Sequence, residues 1–173
     1  RMKQHIKTLL AKYRTQGILL DTNLLLVFCI GTINPQYIPQ FKRTRAYLAE
    51  DFIILSQLMK CFTIWTTTPN ILTEVSNLAN SLHGEYALKF YQTFAKLVPI
   101  FSEEYQESKQ LVTRLELLKF GLTDAGIIQL VKDRFLVVTD DFPLSQYLQA
   151  QGIDILNFNH IRSWWIADYS IQE

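Results

Sequence analysis

Cysteine is scarce in this 173-residue chain: Cys29 and Cys61 stand far apart in apolar surroundings, and His5, His83 and His160 are scattered. That excludes a disulfide framework and leaves no Cys/His spacing suited to zinc. Glycine and proline are few, at 6 and 5, and no flexible linker, low-complexity segment or internal repeat interrupts the chain. Long apolar runs are missing too. The longest, Leu24 to Ile30, falls well below the roughly 20 residues that span a bilayer, and no signal-like segment opens the chain. The expectation is a cytoplasmic protein with no membrane partner. Charge of one sign is also absent: 17 basic residues balance 16 acidic ones for a net +1. No global field draws the protein to nucleic acid, so any such contact has to come from a local patch or a bound metal.

What is present is a folded composition, 49% hydrophobic and 19% charged, at a length that fits a single domain over 1–173. Short apolar runs at Ile18 to Leu20, Phe62 to Trp65, Val98 to Phe101, Phe135 to Val138 and Ile153 to Leu156 read as strands. Helical spacing fills Phe41 to Met59, Asn70 to Leu82, Tyr86 to Leu97, Glu103 to Phe120, Asp124 to Asp133 and Pro143 to Gln151. Such alternation predicts an α/β fold in which helices cover both faces of a central parallel sheet. Ligands then collect beyond the carboxyl ends of the strands, where strand order reverses.

Acidic residues are placed for that edge. In "GILLDTNLLLVF", Asp21 follows the first apolar run, and Asp140 and Asp141 follow "FLVV" through Thr139. An aspartate there also serves as a turn or cap residue. In "TTTPNILTEVSNL" a threonine and Pro69 start a helix whose buried stripe is Ile71, Val75, Leu78 and Leu82. Glu74 borders that stripe and reads equally well as a crevice residue or a solvated flank. In "GLTDAGIIQLVKD", Thr123 is the expected helix cap, and Asp124 shares a face with Ile127, Ile128 and Val131, so its carboxylate is expected to point toward the sheet. Carboxylates gathered on one sheet edge repel one another unless protons or cations neutralise them. All-oxygen ligation selects Mg²⁺ or Mn²⁺, ions suited to phosphodiester hydrolysis.

On "ILLDTN", "TPNILTEV", "LTDAGI" and "VVTDDFPL", in that order between Gly17 and Phe158, the chain resembles the PIN-domain ribonucleases. The resemblance implies a three-layer α/β/α sandwich, Rossmann-like, and a metal-dependent endoribonuclease. It makes Asp21, Glu74, Asp124 and Asp141 the catalytic, metal-holding quartet. Asp21 and Asp141 would hold Mg²⁺ or Mn²⁺, Asp124 would ligate it directly or through water, and Glu74 would bind water or a second ion. Thr139 and Asp141 match a Thr-x-Asp signature with Asp140 between them, although the pattern does not tell the two aspartates apart. Asn23, Thr139 and Asp140 are then residues that orient carboxylates or phosphate. RNA is the implied substrate; an antitoxin-like protein and a second copy of the chain are the implied partners. The alternative is a catalytically silent PIN fold that binds RNA or protein.

The chain departs from compact toxin-type members by an insertion over about 34–60, "NPQYIPQFKRTRAYLAEDFIILSQLMK", expected as an added helix or helical hairpin at the crevice mouth. Within it Lys42, Arg43 and Arg45 are either contacts to an RNA backbone or a solvated helix face. "VVTDDFPLSQYLQAQGIDI" is similar to PIN domains of ribosomal-RNA processing. The aromatic tail over 158–173, with Trp164, Trp165 and Tyr169, is expected to pack on the body or on a second subunit.

Overall fold

The computed structural model describes the backbone of residues 2–169 and the side chains of residues 3–165. Five short strands form its centre: β1 (Ile18–Leu20), β2 (Trp65–Thr67), β3 (Ser102–Glu103), β4 (Leu136–Thr139) and β5 (Ile155–Asn157). Every pairing is parallel, in the order β3-β2-β1-β4-β5. The residues of β1 and β4 are buried without alternation, as strands covered on both faces must be. From β1 the chain builds outward through β2 and β3, then returns to add β4 and β5 on the other side. The reversal therefore falls between β1 and β4, in register from Ile18 opposite Leu136 to Leu20 opposite Val138.

Helices fill the connections. α1 (Met2–Tyr13) precedes β1, and α2 (Thr22–Ile33) and α3 (Ala49–Lys60) lie between β1 and β2. α4 (Pro69–Ala79) and α5 (Gly84–Leu97) lead to β3, α6 (Ser108–Leu111) and α7 (Glu116–Val131) to β4, α8 (Phe142–Ala150) to β5, and α9 (Phe158–Tyr169) follows. None is long and apolar enough among the described residues to cross a membrane. One hydrophobic core joins all the layers, from Ile6 and Leu9 of α1 to Ile161 of α9.

The longest apolar run of the sequence is a helix, α2, with every residue from Leu24 to Gly31 buried. It is apolar all round because α3, α4 and α5 surround it. Gly31 lets α3 come close: a Cβ there would lie 2.2 Å from the Phe52 ring.

Several boundaries differ from those expected. The second strand is Trp65–Thr67 rather than Phe62 to Trp65, because the ladder runs through the threonines. Val98–Ile100, expected to start a strand, is a turn of 3₁₀ helix around Pro99, and the strand is the polar pair after it. The insertion is helical only in its second half. Pro35–Tyr37 form a 3₁₀ turn, and residues 38–48 make a linker of turns pinned by Thr44, whose buried hydroxyl donates to the Ile38 carbonyl at 2.8 Å. The tail is helix α9, with Trp164 and Trp165 half-buried against the core; the Tyr169 side chain and residues 170–173 lie outside the described residues.

Candidate active site

Beyond the carboxyl ends of β1 and β4 opens a crevice of about 500 Å³. Asp21, Glu74, Asp124 and Asp141 all line it, with Thr22, Asn23, Arg43, Asn77, Leu78 and Leu144. Four elements far apart in sequence thus deliver the four expected acids to one cavity.

Asp21 caps α2: its Oδ1 accepts the Leu24 N–H at 3.0 Å. Its Oδ2 accepts the Thr139 hydroxyl and, at 3.2 Å, the Asp140 N–H. The residue is only 6% exposed. Burial, followed by the neighbouring Asp140 charge, pushes its carboxyl up to about 7, against the lowering pull of these hydrogen bonds. Thr139 is a bridge, since its hydroxyl also accepts the Asp141 N–H at 3.0 Å. Asp141 in turn caps α8 by accepting the Leu144 N–H at 2.8 Å.

The two aspartates after β4 are separated by what they face. Asp141 lines the crevice, whereas the Asp140 carboxylate accepts the Tyr47 hydroxyl and is not part of the lining. Glu74, exposed on α4, is bracketed by two hydroxyls: Thr22 donates to its Oε2 at 2.9 Å and Thr123 to its Oε1 at 2.5 Å. α4 itself starts as expected, with Thr68 accepting the Ile71 N–H and Pro69 at the first helical position.

The acid-bearing helix does not start at Thr123 as expected. α7 breaks at Gly121, whose φ of 80° and ψ of −179° belong to a region open essentially to glycine alone. The helix restarts after that residue, so Thr123 is already inside it and its hydroxyl goes to Glu74 instead of capping. Asp124 still falls in the first turn, half-buried. Burial, then the charges of Asp141 and Glu74, raise its carboxyl to about 6.

Of the three basic residues in the insertion, Arg43 lines the crevice; Lys42 and Arg45 are exposed outside it. Asn23 lines the crevice, while Thr139 is fully buried and acts through Asp21 and Asp141. Residues not singled out in advance are Thr22, Asn77, Thr123 acting as a donor to Glu74, and Tyr47. Asn77 follows Glu74 by three, on the same helix face, and was legible as a neighbour. Tyr47 carries no such signal.

Among the described residues no three His, Cys, Asp or Glu side chains meet closely enough to hold a metal ion as they stand. The donor set is nevertheless the right one for a hard divalent cation. It is all oxygen, and Asp124 registers the charges of Asp141 and Glu74 across the crevice, a repulsion that a cation relieves. No family model, curated protein or solved structure matches this chain.

Proposed function

We propose that this chain is a metal-dependent endoribonuclease of the PIN-domain kind, with a three-layer α/β/α sandwich built on its parallel sheet. The observation that carries the reading is the convergence of Asp21, Glu74, Asp124 and Asp141 on one crevice at the reversal point of the sheet. In this reading the four acids hold Mg²⁺ or Mn²⁺. The bound ion supplies an acidified water and offsets the charge of the scissile phosphodiester.

The chain's own residues do the rest. Asp21 is fixed by three hydrogen bonds and gives a carboxylate that does not reorient. Thr22 and Thr123 hold Glu74 toward the crevice. Asp141 sits at the start of α8, where the helix N-terminus stabilises its negative charge. Arg43 supplies the positive charge that meets a phosphate oxygen. Leu78 and Leu144 form the apolar part of the wall.

The test is cleavage of labelled single-stranded and hairpin RNAs and DNAs with Mn²⁺ or Mg²⁺, comparing wild type with Asp21→Asn and Asp141→Asn. Metal-dependent cutting of RNA that both substitutions reduce to background is the expected result. Equal cutting by all three proteins would mean a contaminant and sink the reading. Metal is also expected to raise the melting temperature of the wild type, because it binds the folded acid set.

A second reading, a catalytically silent PIN-fold module for RNA or protein, is favoured by one observation: both Asp21 oxygens are already taken by internal donors. RNA binding without cutting, and a melting temperature indifferent to millimolar metal, would select it.

A further inference from the structure

We propose that Tyr47 is a positioning residue for this crevice: its hydroxyl keeps the Asp140 carboxylate out of the crevice lining and ties the linker bearing Arg43 to the end of β4. The inference rests on the nuclease reading above.

Tyr47 is 6% exposed and its hydroxyl donates to Asp140 Oδ2. Asp140 stands between two crevice-facing groups. Its own N–H donates to Asp21, and the next residue, Asp141, lines the crevice. Where its carboxylate points therefore decides how many negative charges the crevice holds. Released from Tyr47, it can turn into the crevice as a fifth carboxylate, where the charges of Asp141 and Glu74 already act on Asp124. Held by Tyr47, it leaves the inward place to Asp141.

Tyr47 is itself anchored from two helices. The Arg162 guanidinium of α9 lies over its ring, 5.8 Å from the centroid, and over Phe158 at 5.4 Å. The same guanidinium grips Asp51 of α3 through Nε at 2.7 Å and Nη2 at 2.9 Å. Asp51, 2% exposed, also accepts the N–H of Leu48, the residue after Tyr47, at 2.8 Å. One side of Tyr47 is thus clamped to the body and the other reaches Asp140. The linker between these points includes Arg43, followed at once by Thr44, whose carbonyl accepts the Tyr47 N–H at 2.9 Å. A phenylalanine would fill the same space and keep the stacking with Arg162; only the hydroxyl explains the link to Asp140.

The experiment compares wild type, Tyr47→Phe, Asp140→Ala and the double variant. It reads Mn²⁺ affinity by electron paramagnetic resonance, KM and kcat for a single-stranded RNA oligonucleotide, and melting temperature. Tyr47→Phe is expected to raise KM for the anionic RNA about tenfold, the size of effect that loss of an outer partner of such a site has, without loss of Mn²⁺ affinity and with the melting temperature nearly unchanged. In the Asp140→Ala background the same substitution is expected to change neither constant further, because its partner is gone. Asp140→Ala cuts the same tie to the Arg43 linker without freeing a carboxylate, so a smaller rise in KM is expected from it, and an unchanged KM there would overturn the inference even if Tyr47→Phe folds poorly. A lowered melting temperature with wild-type Mn²⁺ affinity and KM would reduce Tyr47 to packing and overturn the inference. So would equal effects of Tyr47→Phe in both backgrounds. A wild type that neither binds Mn²⁺ nor cuts RNA would instead defeat the nuclease reading, and this inference with it.

Discussion

Asp21 and Asp141 each follow a strand and each cap the next helix by accepting the N–H three residues on, Leu24 in one case and Leu144 in the other. Their surroundings then part. Asp21 lies beneath the sheet edge with its second oxygen taken by Thr139 and the Asp140 N–H, whereas Asp141 is exposed at the crevice. Burial raises Asp21 to about 7, and no comparable enclosure surrounds its counterpart. The same strand-Asp-helix device therefore yields a fixed anchor at one strand end and an accessible carboxylate at the other. Residue type and local motif do not decide between those two jobs; what packs over the carboxylate does.

Removing each cap sharpens that contrast. Asp21→Ala loses a cap, about 1 kcal/mol, and leaves the Thr139 hydroxyl and the Asp140 N–H without their acceptor, a further cost of about 1–3 kcal/mol. Urea unfolding near pH 4, before ionisation of the unfolded chain erodes the contribution of Asp21, is expected to show most of this loss. A cost no greater than that of the Asp141 variant would mean that the buried bonds contribute nothing.

The next largest effect is on pH dependence. Folded Asp21 keeps its proton to about pH 7 and folded Asp124 to about 6, whereas both release it near 3.8 when unfolded. Between those values the folded state binds the extra protons, so in metal-free buffer stability falls as pH rises from about 4 to about 7. Thermal unfolding across pH 4 to 8 is expected to show that fall, and Asp21→Asn to flatten its upper part. A melting temperature that climbs through this window would contradict the burial of Asp21. Smallest is Asp141→Ala, expected to cost only a cap, about 1 kcal/mol, in the same urea unfolding experiment.

The sequence made the parallel α/β layout legible because β1 and β4 are unbroken apolar runs that end in acids. All four expected acids do line one crevice: Asp21 and Asp141 stood near strand ends and Asp124 on the sheet-facing side of its helix, whereas Glu74 stood at the border of a buried stripe, where a solvated flank was an equal reading. Helix α2 was invisible as a helix: surrounded by other helices, it has no polar face, and periodicity has nothing to report. β3 was hidden because a two-residue polar pair at the sheet edge carries no hydrophobic signature. The start of the acid-bearing helix was misplaced to Thr123 because a threonine before an aspartate is a common start signal, whereas the backbone breaks in a glycine-only conformation two residues earlier, at Gly121. The separation of Asp140 from Asp141 depends on Tyr47, 93 residues away in sequence, and no local pattern encodes it.

The bond from Thr139 to Asp21 spans 118 residues of chain. During synthesis, β1 and Asp21 emerge long before β4 exists to lie beside them, whereas the apolar Leu24 to Ile30 segment meets its covering helices α3, α4 and α5 earlier. The crevice is closed only when the strand after α7 arrives, which makes its charge cluster one of the last things the chain assembles. A truncated product ending before β4 would carry Asp21, Glu74 and Asp124 but none of the β4 side of the crevice, and would leave β1 as an unpaired strand edge open to aggregation.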